Sequence, residues 1–90
     1  MNPIFTAYYK TLIGSDADKE VVHVARQAEN NAIAEFGRDI LIKADAKNHY
    51  AMKNDTEFLN FWAVSISASL AGGGYSDSTI GFFADFGIKM

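Results

Sequence analysis

The residues that could carry chemistry in this chain are two histidines, a Gly/Ser/Asp loop, a run of alternating serines and a dense set of aromatics. His23 and His49 stand far apart in sequence, and no His-x-x-x-His pair presents two imidazoles to zinc on one helix face. His23 lies beside an apolar stripe, which suits a packed or edge imidazole better than a ligand. His49 with Tyr50 reads as a solvated or interface pair. The stretch "GGGYSDST" has the glycines of a phosphate cradle but not the lysine that would reach the phosphates. Asp77 and Asp85 lack the alternate-residue spacing of a calcium loop. Ser65, Ser67 and Ser69 have no nearby histidine to take a proton and make one of them a nucleophile. These spacings point away from an enzyme, and the expectation is a chain with no catalytic residue, no cofactor and no metal site. Phe58, Phe61, Trp62, Phe82, Phe83 and Phe86 read as core or subunit interface rather than as a ligand cage.

The composition narrows the choice further. Ninety residues allow a single small domain, 1–90, and no internal repeat is visible. A domain this small leaves much of its surface exposed, and the absence of cysteine removes disulfides and thiolate metal sites as remedies. Oligomerisation is the remaining common remedy, so the chain is expected to pair with itself. A formal charge of −3, with the basic residues scattered, has the wrong sign for general nucleic-acid binding. The opening "MNPIFTAYYKTLIGSDADKE" has no basic start followed by an apolar core and a small-residue cleavage site. Synthesis in the cytoplasm of a host cell is the expectation, with later delivery elsewhere left open.

The elements that must position these residues follow from caps and periodicity. Asn2-Pro3 suits a helix start, and "PIFTAYYKTLI" places Ile4, Tyr8 and Leu12 along one side before Gly14 ends the segment. Ser15 reads as the cap of a second helix whose acidic first turn suits the positive end of the helix dipole. Val21, Ala25, Ala28, Ala32, Phe36 and Ile40 then recur at three- and four-residue steps. Asp39 and Lys43 form an i,i+4 pair within it. Gly37 either kinks this helix or is passed through; unbroken to Lys53, the helix would span on the order of 50 Å. Its alanines let a partner helix come close, as an ordinary packing face, as a seam between subunits, or as both at once.

Two readings compete for the last third. Trp62, Val64, Ile66, Ala68 and Leu70 alternate with serines, and Ile80, Phe82, Ala84, Phe86 and Ile88 alternate again beyond the glycines, which would make a β-hairpin over about 61–89. Against this, Asn54 or Asp55 can cap a helix that stops at Gly72, with Leu59, Trp62, Ile66 and Leu70 at helical steps. Ser76 or Ser78 can cap a short terminal helix carrying Ile80, Phe83 and Phe86. Boundary signals favour the helices, because a lone hairpin is marginal in water. The fold expected is therefore all-α, with a short first helix, one long helix, a third helix and a short C-terminal element; the alternative is α+β with that hairpin.

"VARQAENNAIAEFGR" (24–38), through Ala28, Asn31, Ala32 and Ala34, resembles the alanine- and asparagine-rich helix of internal virion, or ejection, proteins of short-tailed phages. "ISASLAGGGYSDSTIGFF" is similar to their later segment, where a small-residue helix meets a Gly/Ser loop and a further helix. The resemblance implies a helical, non-enzymatic protein packed with its own copies and other virion proteins, and delivered into the host envelope to help form a DNA conduit. Residues 58–76 carry no formal charge, which bears on a membrane. Their Asn60, serines and glycines make a poor lone span, although several copies around a channel could share one, with Trp62 and Tyr75 near the interfaces. The residues expected at contacts between copies are Val21, Ala25, Ala28, Ala32, Phe36, Phe61, Trp62, Phe82, Phe83 and Phe86.

Overall fold

The computed structural model describes residues 3–12, 18–37 and 56–88. Among them lie four helices and no strand: α1 (Pro3–Leu12), α2 (Lys19–Phe36), α3 (Thr56–Ala71) and α4 (Asp77–Ala84). The glycine-rich loop is thus a joint between helices. The hairpin alternative fails because both candidate strands are helical. Their even-numbered apolar residues do not share one face; Trp62, Ile66 and Leu70 turn inward while Val64 and Ala68 turn out.

Helix α2 begins at Asp18, whose carboxylate accepts from the Glu20 amide at 2.8 Å. Ser15, expected as the cap, lies outside the described residues, as do Asn2, Gly14, Asp39, Ile40, Lys43, His49 and Asn54. The helix ends after Phe36. Gly37 adopts φ +86° while its amide still donates to the Ile33 carbonyl at 2.7 Å. That conformation, open to glycine without penalty, leaves the helical region, so the helix does not run through Gly37 as one rod. Its 18 residues span about 27 Å.

Helix α4 is bounded at both ends by its own sequence. Ser76 caps it, the hydroxyl accepting from the Thr79 amide at 3.4 Å. At the other end the Ile88 amide donates to the Phe83 carbonyl at 3.2 Å and the Gly87 amide to the Ala84 carbonyl at 2.9 Å. With Gly87 at φ +82°, this is a Schellman termination. It returns Ile88 to the core beside Phe83. Gly87 therefore ends the helix.

Helix α2 packs chiefly on α3; α1 lies against both, and α4 rests on α2. The inner face of α3 is Phe58, Leu59, Trp62, Ile66 and Leu70. The inner face of α1 is Phe5, Ala7, Tyr8 and Thr11, with Ile4 half-buried against the core; it contains the expected line through Ile4 and Tyr8 and is wider than that line, and the side chain of Leu12 lies outside the described ones.

Candidate functional site

The alanine stripe of α2 is a seat for an aromatic cluster. Ala25, Ala28 and Ala32 expose none of their surface, and neither does Trp62. The indole Nε1 donates to the Ala25 carbonyl at 3.2 Å. That contact requires the ring to lie close to the α2 backbone, which a methyl side chain permits and a branched one would obstruct. It also satisfies a donor whose burial without a partner would cost about 1–3 kcal/mol.

Around the indole stand Tyr8 at 5.3 Å between ring centroids and Phe83 at 6.3 Å, both edge-on. Tyr8 also meets Phe58 at 5.7 Å. Edge-to-face geometry sets the positive rim of one ring against the negative face of the next. From Phe83 the cluster continues to Phe82 at 5.2 Å and then to Phe86 at 5.3 Å, over which the Lys10 ammonium sits at 5.8 Å.

Two carboxylates tie this cluster down. The Tyr8 hydroxyl donates to Glu29 Oε2 at 2.9 Å, and the other Glu29 oxygen accepts from the Arg26 guanidinium at 3.3 Å. Burial, and then the neighbouring Glu29 charge and hydrogen bond, push the Tyr8 hydroxyl well above the usual tyrosine range. Arg26 is largely exposed while Glu29 is buried, so the pair carries the carboxylate's charge toward the surface.

Glu20 joins α2 to the start of α4. Its Oε1 accepts from the Thr79 hydroxyl at 2.6 Å, the Ser76 hydroxyl at 2.8 Å and the Ser76 amide at 2.9 Å. These bonds, that from Thr79 foremost, hold the Glu20 carboxyl below its ordinary range, with His23 adding a smaller pull. The site is the positive end of α4 met by an anion from its own chain.

The expected contact residues now divide. Val21, Ala25, Ala28, Ala32, Trp62 and Phe83 lie inside a single copy, covered by its own helices. At these six positions a small face on one helix and a large ring on the next complete each other within one chain. Trp62 is likewise too deep to stand at a membrane interface. Phe61, Phe82 and Phe86 are half-buried, and Phe36 is 37 % exposed. Phe36 meets Phe61 edge-on at 5.6 Å. Beside them Val64, which sequence reasoning placed only in a strand, is 67 % exposed.

His23 is exposed on α2. Among the described residues no cluster of three His, Cys, Asp or Glu could hold a metal, and no helix is long and apolar enough to cross a membrane. Tyr8, Glu29 and the Glu20 anchor were not anticipated. Glu20 was legible as a first-turn acid, but nothing local announces partners 56 and 59 residues away. Comparison with family models, curated proteins and solved structures finds no match to this chain.

Proposed function

We propose that this chain is a non-enzymatic helical protein that assembles with its own copies through the outer face of α3. The observation that carries this reading is Val64, 67 % exposed on a helix whose only formal charge is Glu57, next to the Phe36–Phe61 ring pair. Exposed apolar surface without charge favours association with a similar surface. A 16-residue helix offers a face about 24 Å long and 10 Å wide. This is well below the roughly 800 Å² per partner of a stable pair, so this face by itself supports weak, concentration-dependent association. The resemblance of 24–38 and 66–83 to phage ejection proteins supports placing that assembly in a virion, with other virion proteins as neighbours and a role in genome delivery across the host envelope.

A second reading has its own support. Trp62 and the alanine stripe are covered within one copy, so the core closes without a sister chain. A self-sufficient copy with one apolar face suits a small binding protein that blocks a host or defence factor.

Sedimentation velocity of the wild type and Val64→Lys, each from about 5 to 200 μM, separates the two. Concentration-dependent association in the wild type that Val64→Lys abolishes supports assembly. A wild type that stays monomeric throughout overturns it. Capture of one stoichiometric partner from host lysate, lost in Val64→Lys, would then support the blocker.

A further inference from the structure

We propose that α4 is a hinged lid over Trp62, latched by Glu20, which opens while α1–α3 stay folded. The lid goes beyond the assembly reading and does not depend on it. Three features of one segment converge on it.

The first is the hinge. Gly72, Gly73 and Gly74 join α3 to α4, with Gly73 and Gly74 at φ +83° and +91°. A side chain built at Gly73 or Gly74 would meet no atom within 4 Å. These glycines are therefore not placed for close packing; they confer backbone freedom.

The second is the weakness of α4 by itself. It has eight residues, a length at which isolated helices do not hold in water, and Gly81 in its interior lowers its propensity further. Nothing lies within 4 Å of a side chain built at Gly81 either. The helix owes its structure to its seat.

The third is the latch. The N-terminal turn of α4 is held by three hydrogen bonds that converge on one oxygen, Glu20 Oε1. Ser76 lies exposed at this junction, so water can compete for its share. Deeper in, Phe83 stands edge-on to Trp62, Ile88 is buried beside it, and Lys10 of α1 sits over Phe86. Opening α4 withdraws Thr79, Phe83 and Ile88 from the core and bares the part of Trp62 that Phe83 covers, while α2 and α3, which share the larger contact, stay packed on each other. Segments with few anchoring contacts are the ones that open below the free energy of global unfolding.

Trp62 is the chain's single tryptophan, so its fluorescence reports the lid directly. Native-state hydrogen exchange and acrylamide quenching on the full chain test the proposal, with Glu20→Gln to loosen the latch and Gly81→Ala to stiffen the lid. In the wild type, α4 amides should exchange at least about tenfold faster than the inner amides of α2 and α3. Glu20→Gln should raise α4 exchange and Trp62 quenching severalfold while α2 and α3 protection holds. Gly81→Ala should slow α4 exchange by about fivefold, the helix-propensity gain of alanine over glycine. Exchange of α4 in step with α2 and α3 in the wild type overturns the lid. So does a Gly81→Ala protein in which α4 exchange and Trp62 quenching are unchanged.

Discussion

The indole nitrogen of Trp62 donates to the main-chain carbonyl of Ala25, 37 residues earlier in the chain, at 3.2 Å. This bond states why α2 carries alanine where it meets α3: the largest side chain in the core lies against the backbone of its neighbour. Adding two methyl groups beneath the ring, as in Ala25→Val, forces the indole away and introduces a branched residue into a helix. We expect a loss of about 1–3 kcal/mol, read as a lower urea midpoint at unchanged slope.

Tyr8→Phe keeps the ring contacts with Trp62 and Phe58 but deletes the donor to Glu29 Oε2. A buried carboxylate oxygen loses its partner, at a cost of about 1–3 kcal/mol. The pH dependence follows from the raised Tyr8 pKa. The folded state keeps this proton where the unfolded chain's tyrosine gives it up. The stabilisation is therefore complete below about pH 10 and falls as pH rises beyond it. Thermal melts in alkali should show a steeper decline for the wild type than for Tyr8→Phe.

Glu20 has the opposite sign. Its carboxyl is held below the ordinary carboxyl value of 4.5 by its bonds to Thr79 and Ser76, so its contribution is present above that value and lost as pH falls through the lowered folded one. Among the described residues, Asp18, Lys19 and His23 on α2, Tyr75 before the cap and Asp77 on α4 flank this junction in sequence. Acid titration of Trp62 quenching should show a rise in the wild type. In Glu20→Gln the rise should be reduced, starting from a higher baseline.

The two glycines of the C-terminal segment should respond in opposite directions. Gly81→Ala meets no atom within 4 Å and should stabilise by up to about 1 kcal/mol. Gly87→Ala must place a side chain at φ +82° and should destabilise by about 1–2 kcal/mol. Paired thermal melts check both, and a stabilised Gly87→Ala would contradict the Schellman termination of α4.

Much of this architecture can be read locally, and the misses have local causes. The stop at Gly72 and the cap at Ser76 mark helix ends because each satisfies or releases backbone groups within its own turn. Leu59, Trp62, Ile66 and Leu70 reveal the inner face of α3 by spacing alone. Alternation misled for the same segment because serines at every second position suit a pleated strand and a helix flank equally. The line through Ile4 and Tyr8 lies within the inner face of α1, and what spacing alone did not give is its width, which takes in Phe5, Ala7 and Thr11 because α1 meets two helices at once.

By itself the chain's order of residues marked α1, both ends of α3 and the cap of α4 and showed no familiar catalytic spacing, while the ends of α2 and the choice of helix over hairpin in the last third rested on the fold. Only the tertiary structure decided that the alanine stripe seats Trp62, that Glu29 answers Tyr8, and that Glu20 holds the start of α4. The physical reason is separation: propensity and capping act within a turn or two. The partners that determine burial lie 21 to 59 residues apart and are chosen by the fit of whole faces.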